Sequence, residues 1–343
     1  MNILYQLAPM AEMSHRALRE LIDGFGGCDE YFSEMISAAA LLAEGPFEKW
    51  YIDPGPRPEK LVYQLVGSDI AHITGAAAIL DRLECAGIDL NMGCSAPLIR
   101  KTGAGVAWMA SADRAGELVK SVRKAVKKRL SVKLRIGFSD DFEYLTRFCR
   151  RLESEGTDMI ILHPRTARVK FKRLAKWDYV GALRQELQIP VAGNGDIATA
   201  EELIERANSP CDAVMVGRAA VRQPWIFAQA KQNDNISHGD TETRRHGDEE
   251  GDMITCPNLR ASVPLCENFG NISMVEETGL RFLELLAQHQ PPEFYISRAR
   301  HFFSYFCDNV TWGNYLKNLI NREETLSGIE KVWKDYFTTP ELS

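Results

Sequence analysis

The sequence predicts an α/β fold: a closed (β/α)₈ TIM barrel followed by a small C-terminal helical-bundle domain. Between residues 3 and 229, short apolar runs alternate with longer segments of helical periodicity. The runs are continuous, which indicates strands that are buried on both faces, as parallel sheets require. Polar and glycine-rich clusters follow the runs directly, at the strand ends where such barrels carry their chemistry. Eight such units favour a closed barrel over an open, doubly wound sheet.

The strands and helices are predicted in strict alternation along the barrel. The predicted strands are residues 3–7, 31–33, 62–65, 88–90, 132–135, 159–162, 191–192 and 213–216. Apolar residues at helical spacing predict the helices between them. These are residues 14–22, 69–83, 112–126, 141–154, 178–186, 200–206 and 219–229. We expect the second crossover to run through residues 35–42.

Beyond the barrel the pattern changes. We assign residues 1–231 to the barrel and interpret residues 232–271, which lack apolar periodicity, as a flexible linker or insertion. Residues 272–343 are expected to form the helical domain. Its helical patterns cover residues 275–289, 295–308 and 315–332.

The composition is that of an ordinary globular protein. Of the 343 residues, 45% are hydrophobic and 26% charged, which argues against a disordered or fibrous chain. No apolar run approaches the ~18 residues that cross a bilayer, and no cleavable leader is recognised, so we expect a cytoplasmic protein. The eight cysteines contain no Cys-x-x-Cys pair, so we expect free thiols and no metal site.

The net charge of −6 hides a separation of charge along the chain. Residues 120–135 contain eight basic residues and no acidic one, and residues 165–176 contain six and no acidic one. Residues 234–252 are mainly acidic. The separation predicts a basic face that suits an anionic partner.

The strongest local feature is Asp89-Leu-Asn-Met-Gly-Cys94, at the end of the fourth predicted strand. A thiol there lies on the face where a barrel meets its substrate. A free thiol has a pKa of about 8.5 and is therefore a proton donor at neutral pH. A basic neighbour would instead make it a nucleophile. The ordinary alternative is a small buried thiol, which we assign to Cys28, Cys85, Cys149, Cys211 and Cys307.

Two glycine clusters, Gly193-Asn-Gly-Asp-Ile197 and Val216-Gly-Arg218, follow the last two predicted strands. Backbone N–H groups in front of a helix form the phosphate site of many barrels, and Arg218 adds a bidentate donor. The first cluster also matches the dinucleotide pattern G-x-G-x-x-A, but no suitably placed acidic residue supports a ribose contact. Ordinary turns that need glycine for positive φ are the alternative.

Two polar residues lie inside predicted strands. Lys133 alternates with apolar neighbours, and a lysine inside a barrel needs an anionic or strongly accepting partner. Gln64 offers an amide donor and acceptor that suit the edge of a heterocycle. The alternatives are a carboxylate partner for Lys133 and an ordinary hydrogen-bonded core amide for Gln64.

His163 ends the sixth predicted strand. An imidazole there is suited to bind a phosphate or a ring, and the alternative is a core imidazole held by hydrogen bonds. The basic loop that follows predicts a polyanionic substrate, with a solvated loop as the alternative. For the cations of residues 120–129, a solvated outer helix is the better explanation.

Taken together, these motifs resemble those of the tRNA-dihydrouridine synthases. Leu7-Ala-Pro-Met10, with Arg16 two turns later, resembles the opening motif of that family. The other matches are Ser33-Glu-Met35, Tyr63-Gln-Leu-Val-Gly67, Asp89-Leu-Asn-Met-Gly-Cys94, Val132-Lys-Leu-Arg135, Leu162-His-Pro-Arg-Thr166, Gly193-Asn-Gly-Asp-Ile197, Met215-Val-Gly-Arg218 and Pro224-Trp-Ile-Phe227. The sequence departs from the family pattern at Ser95-Ala-Pro97, Pro164 and Glu12-Met-Ser-His15.

The resemblance implies an FMN-dependent reductase that uses NADPH. Reduced flavin would deliver hydride to C6 of a uracil extruded from folded tRNA, and Cys94 would protonate C5. Gln64 would read the pyrimidine edge of the flavin, and Lys133 would stabilise negative charge on the reduced ring. The implied cofactor-binding residues are Pro9, Met10, Ala11, Gln64, Lys133, His163, Asn194, Gly195, Asp196, Gly217 and Arg218.

The expected substrate contacts begin with Asn91, which would orient the uracil. The others are Arg135, Arg165, Arg168, Lys170 and Lys172. The C-terminal helices resemble the RNA-gripping appendage of the family. The cations they carry include Arg298, Arg300, His301, Lys317 and Arg322.

Three other functions stay open on the sequence. The first is a flavin barrel that reduces a free pyrimidine or another enone, similar to the dihydroorotate dehydrogenases; the basic loop and helical domain argue against it. The second is a flavin- or RNA-binding protein without catalysis, against which Cys94 argues. The third is a barrel without a ligand, which leaves Lys133 unexplained. We expect a monomer.

Overall fold

The computed structural model describes residues 3–169, 173–239 and 269–338, without the side chains of residues 234–239. Within these residues, eight parallel strands close into a barrel in chain order, with β8 hydrogen-bonded to β1. The strands are β1 (Leu4–Leu7), β2 (Glu30–Ser37), β3 (Leu61–Val66), β4 (Gly87–Met92), β5 (Arg129–Gly137), β6 (Met159–Thr166), β7 (Val191–Asn194) and β8 (Ala213–Val216). The predicted fold class is confirmed.

Helices separate the strands and complete the chain. Those between β1 and β8 are α1 (Arg16–Gly24), α2 (Ala38–Leu42), α3 (Glu48–Tyr51), α4 (Ile70–Leu80), α5 (Pro97–Lys101), α6 (Ala112–Ala125), α7 (Phe142–Ser154), α8 (Asp178–Glu186) and α9 (Ala200–Ala207). Those after β8 are α10 (Arg218–Arg222), α11 (Ile226–Gly239), α12 (Ile272–His289), α13 (Pro292–Phe306), α14 (Gly313–Ile320) and α15 (Leu326–Thr338). None of the described helices combines the length and apolarity that a membrane span requires.

The barrel interior changes from apolar to polar along the strands. An apolar cluster fills part of it, formed by Ala8, Phe32, Val62, Met159, Ile161, Ala192, Ala213 and Met215. Strand side chains alternate between faces, so residues two positions further along share the interior. These are Gln64 on β3, His163 on β6 and Asn194 on β7, which places the polar residues toward the carboxyl ends.

The ends of most elements shift by a few residues from their predicted bounds, and three predictions need a larger correction. β2 continues to Ser37, so only residues 38–42 of the expected crossover are helical. The single helix predicted over residues 219–229 is wrong, because Pro224 lacks an N–H and disfavours helical backbone in the residue before it. The pattern over residues 315–332 covers two helices, and Thr325 accepts the N–H of Gly328 at 3.0 Å near the start of the second.

The chain forms two compact units. The first contains all eight strands with helices α2 to α8, and it ends at Gly217. The second contains His15–Cys28, Ala198–Ile204 and the chain from Arg218 onward. Of the predicted linker, residues 232–239 continue α11, while residues 240–268 lie outside the described residues. The predicted division at residues 231 and 272 stays a prediction.

The second unit has an aromatic core. The ring of Phe282 stacks on Phe302 with centroids 3.7 Å apart, and Trp333 lies 4.8 Å from Phe303. A Cβ on Gly279 would lie 2.4 Å from the Trp333 ring, so the contact between α12 and α15 requires glycine there. These rings lie on helices that the sequence predicts as amphipathic.

Candidate active site

Strand register brings the predicted site residues into neighbouring positions. Gln64 pairs with Asp89 between β3 and β4, and Asn91 pairs with Lys133 between β4 and β5. Arg135 pairs with His163 between β5 and β6. The polar residues of separate motifs therefore form one surface at the carboxyl end of the barrel.

A chain of hydrogen bonds runs from Asp89 to Asn91. The fully buried carboxylate of Asp89 accepts from Gln64 Nε2 at 2.7 Å and from Ser131 Oγ at 2.6 Å. Gln64 Oε1 in turn accepts from Asn91 Nδ2 at 2.8 Å. A carboxylate only accepts, so it turns the Gln64 amide nitrogen toward itself and the oxygen toward Asn91. Burial raises the pKa of Asp89 to about 6, and the hydrogen bonds from Ser131 and Gln64 limit the rise.

The loop that carries Cys94 is fixed through its backbone. Asn91 Oδ1 accepts the N–H of Cys94 at 2.9 Å and that of Gly93 at 3.3 Å, while Arg135 Nε donates to the carbonyl of Gly93 at 2.9 Å. Gly105 has a φ of 60°, and a Cβ there would lie 2.5 Å from the carbonyl oxygen of Cys94. The loop thus presents a half-buried thiol with little freedom of its own backbone.

Lys133 points into the barrel. Its ammonium donates to Asn194 Oδ1 at 3.0 Å, and Asn194 Nδ2 donates to the carbonyl of Met215 at 2.8 Å. Burial and, to a smaller extent, the charge of nearby Arg135 lower the pKa of Lys133 to about 8, while Asp89 and Cys94 oppose the fall. Its hydrogen-bond partner is therefore an amide, not a carboxylate, and at neutral pH its positive charge is available to an anion.

Arg165 lies inside the protein. Its side chain is 4% exposed and forms an ion pair with Asp196. It also donates to the carbonyl of Arg173 at 2.6 Å and lies 3.1 Å from His163 Nε2. Asp196 uses its second oxygen to accept the N–H of Ala175 at 2.5 Å. Each of these polar contacts is made to another group of the protein. The substrate contact expected of Arg165 stays a prediction.

Packing requires two glycines at the end of β7. Gly195 has a φ of 122°, and a Cβ there would lie 2.9 Å from the His163 ring. A Cβ on Gly193 would lie 2.3 Å from Trp177, whose Nε1 donates to the carbonyl of Gly195 at 2.8 Å. The positive φ of the ordinary explanation therefore applies to Gly195, whereas close packing against Trp177 requires glycine at position 193. Gly217 differs, because a Cβ there would make only ordinary contacts of 3.6 Å or more.

The β1 loop, with Pro9, Met10 and Ala11, is also held from within. Met10 packs against the apolar cluster of the barrel interior, and its N–H donates to Ser14 Oγ at 2.9 Å. Glu34 Oε1 accepts the N–H of Glu12 at 2.6 Å, at a backbone φ of 61°. Pro9 and Met10 are half-buried and Ala11 is exposed. Glu34 thus supports the loop that is expected to cover the flavin.

The remaining predicted residues are placed as follows. Arg168 is exposed on the loop after β6, whereas Lys170 and Lys172 lie outside the described residues. Arg218 begins α10 directly after Gly217, and its phosphate contact stays a prediction. On α6, Lys120 lies 3.8 Å from Glu155, which fits a solvated outer face.

Among the described residues, no group of three or more potential metal ligands occurs.

Sequence reasoning missed three residues that organise the site. Asp89 anchors Gln64, Ser131 donates to Asp89, and Glu34 anchors the β1 loop. Their signal was available: Asp89 and Ser131 each stand between two apolar neighbours, Glu34 directly follows the second predicted strand, and a buried polar group needs a partner. The identity of that partner depends on strand register, which the sequence does not show.

Comparison with known proteins identifies related sequences. The family model described as "Dihydrouridine synthase (Dus)" matches residues 6–251. A "Probable tRNA-dihydrouridine synthase" of Aquifex aeolicus is 34% identical over 256 residues, which cover 73% of this chain and 79% of the relative. A "tRNA-dihydrouridine(16) synthase" of Ralstonia nicotianae is 31% identical over 233 residues, which cover 64% of this chain and 70% of the relative. The chain therefore belongs to the dihydrouridine synthase family, a family of flavin-dependent oxidoreductases.

Proposed function

We propose that this protein is a tRNA-dihydrouridine synthase that reduces the C5=C6 bond of specific uridines in tRNA, with FMN as cofactor and NADPH as reductant. The observation that carries the proposal is a half-buried thiol, Cys94, which Asn91 holds beside a barrel mouth lined by Lys133 and Arg135. A thiol supplies a proton and the cations bind an anionic cofactor. The names of the relatives point to the same reaction.

The residues present fit FMN. The Lys133 ammonium is hydrogen-bonded to an amide and carries a charge that suits an anionic ring or phosphate. The side-chain amide of Gln64 has two N–H donors. One donates to Asp89, and the second is the donor that we propose for the flavin. The backbone at Gly217 has room beside it. We therefore assign the flavin contacts to these residues, and propose the same role for Pro9, Met10, Ala11, His163, Asn194, Gly195, Asp196 and Arg218.

The reaction divides between cofactor and protein. Bound reduced FMN would supply the hydride for C6 of the uracil ring. Cys94 then donates its proton to C5, and the resulting thiolate recovers a proton from solvent. Asn91 places the thiol through the Cys94 N–H and orients the uracil with its amide. Lys133 stabilises negative charge next to the ring.

We propose that the RNA is held by the basic loop and by Arg135. Arg168 is exposed on the loop after β6, and Lys170 and Lys172 follow it in the same basic segment of the sequence. Phosphate contacts of this kind position an RNA without reading its sequence. The target uracil must leave the base stack to reach Cys94. We place the reaction in the cytoplasm, where tRNA is modified, and expect a monomer.

An anaerobic titration tests this function. The visible spectrum of the purified protein is recorded, the protein is reduced with NADPH, and tRNA lacking dihydrouridine is added. We expect a flavin band that NADPH bleaches and tRNA restores. Dihydrouridine formed in the RNA is then mapped to a position.

Two other results would contradict the proposal in different ways. Restoration of the band by a free pyrimidine but not by tRNA would indicate a small-molecule reductase. Absence of a flavin band, even after reconstitution with FMN, would exclude the flavin enzyme.

A further inference from the structure

The loop that carries Cys94 also carries one of the most exposed apolar side chains of the first unit. Among the described residues of that unit, two large apolar side chains are more than half exposed, Leu98 at 75% and Leu174 at 84%. Both lie on loops that follow strands, β4 and β6, at the carboxyl end of the barrel. A single exposed leucine is common on protein surfaces, so its meaning depends on the loop that holds it.

The loop ties Leu98 to the thiol. The carbonyl of Cys94 accepts the N–H of Val106 at 2.9 Å, which closes the loop on itself. Within the loop, α5 turns Ile99 toward Gly105, where a Cβ would lie 3.0 Å from Ile99 Cγ2 and 3.1 Å from Cys94 Cβ. Leu98 is the chain neighbour of Ile99 and faces solvent instead. The thiol and the exposed leucine therefore belong to one packed loop.

Hydrogen bonds also fix the end of α5. The carbonyl of Ile99 accepts the N–H of Thr102 at 3.2 Å, the hydroxyl of the same residue at 2.7 Å and the N–H of Ala104 at 3.3 Å. These donors end the helix in a tight turn, as the last carbonyls of a helix otherwise lack partners. The turn holds Leu98 in place relative to Cys94.

The charge on this loop is positive. Residues 90–112 contain Arg100 and Lys101 and no acidic residue, and both cations are exposed. An apolar side chain beside exposed cations matches a nucleic acid, because bases have apolar faces and the phosphates between them are negative. The surface around Leu98 therefore fits the RNA itself.

We propose that Leu98 packs against the base next to the target uracil, in the space that the uracil leaves when it moves to Cys94. This inference rests on the proposed function. A base that leaves the stack exposes the face of its neighbour, and an apolar side chain that covers this face stabilises the extruded state. Arg100 and Lys101 contact the phosphates beside it. Leu98 takes no part in the chemistry, but it favours the form of the RNA that reaches the thiol.

The rate of flavin reoxidation, measured against tRNA concentration in the full-length holoenzyme, tests this contact. Leu98→Ala should lower kcat/KM for tRNA about tenfold, because part of the apolar contact is lost. Leu98→Met, which has a similar volume, should stay within about twofold of the unaltered protein. Reduction by NADPH and the free energy of unfolding should not change, since Leu98 is exposed without RNA. The matched control is Leu174→Ala, at the other exposed leucine, which should keep the normal rate.

An RNA that lacks one base identifies the partner of Leu98. The nucleotide before or after the mapped uridine is made abasic, and Leu98→Ala is compared with the unaltered protein on each RNA. We expect the tenfold difference to disappear with one of these RNAs, because the base that Leu98 covers is then missing. A difference that persists with both RNAs, or normal activity of Leu98→Ala on tRNA, would overturn this inference alone. If tRNA does not reoxidise the flavin of the unaltered protein, the proposed function fails and the inference fails with it.

Discussion

The side-chain oxygen of Asn91 accepts the backbone N–H of Cys94 at 2.9 Å, so one amide group sets the position of the thiol. The nitrogen of the same amide donates to Gln64, whose own nitrogen donates to Asp89. The buried carboxylate thereby orients a relay that ends at the Cys94 loop. The relay therefore joins Gln64, which we propose reads the flavin edge, to the loop of Cys94, which we propose is the proton donor.

Removing Asn91 should therefore disturb both ends of the relay. Asn91→Ala leaves the N–H of Cys94 and the oxygen of Gln64 without their partner, which should destabilise the fold by about 1–3 kcal/mol. Asn91→Asp keeps an acceptor for Cys94 but loses the donor to Gln64. Chemical denaturation gives the free energy of unfolding. Asn314→Ala, on an exposed position of α14, serves as the control and should change the free energy of unfolding only slightly. An equally small change for Asn91→Ala would contradict the relay.

The thiol is expected to act in the proton-transfer step only. Cys94→Ala should retain bound FMN while tRNA-dependent reoxidation falls by about 10²–10⁴-fold. Stopped-flow absorbance separates this step from reduction by NADPH. Cys85→Ala, at another half-buried thiol, should keep the normal rate. Full activity in Cys94→Ala would exclude Cys94 as the proton donor.

The basic loop is expected to determine the salt dependence of RNA binding. Replacing Arg168, Lys170 and Lys172 together with alanine should weaken RNA binding and lower the salt slope by about 0.7 to 0.9 for each phosphate that the loop no longer neutralises. NADPH should still reduce the flavin. The matched control replaces Lys120, Lys124 and Lys127, on the exposed side and end of α6. A similar fall of the slope in the control would place the RNA on the outer helix.

Lys133 should make FMN affinity depend on pH. Its pKa of about 8 means that the ammonium is charged at neutral pH and loses its charge as the pH rises through 8. FMN affinity should accordingly decline above pH 8, by at most about tenfold per pH unit. Fluorescence titration of FMN across pH 6–10 measures this, and a flat profile would exclude Lys133 from the anion site.

The buried charge of Lys133 should also lower the free energy of unfolding when FMN is absent. Its folded pKa lies below its ordinary value, so protonation disfavours the fold at neutral pH, and the cost disappears as the pH rises from about 8 toward 10.5. Lys133→Met should then raise the free energy of unfolding at pH 7 by about 1–3 kcal/mol while weakening FMN binding. A variant that is less stable at pH 7 would contradict this cost.

Much of the fold follows from local patterns. Continuous apolar runs predicted the eight strands in order, and polar residues at their ends predicted the position of the site. The helix over residues 219–229 was wrong because apolar periodicity continues across Pro224, although the backbone does not. At the end of β7, the need for glycine comes from contacts that the sequence does not show: packing against Trp177 at Gly193, and packing against His163 together with a positive φ at Gly195.

The sequence by itself determined the barrel, the loop with Cys94 and the basic segment after β6, because each depends on residues that are close together in the chain. Only the tertiary structure decided the partners: Lys133 with Asn194, Gln64 with Asp89, and Arg165 with Asp196. These pairs join different strands and loops. Their contacts depend on register around the closed barrel, and a shift of one residue would turn the side chains of a strand to the other face.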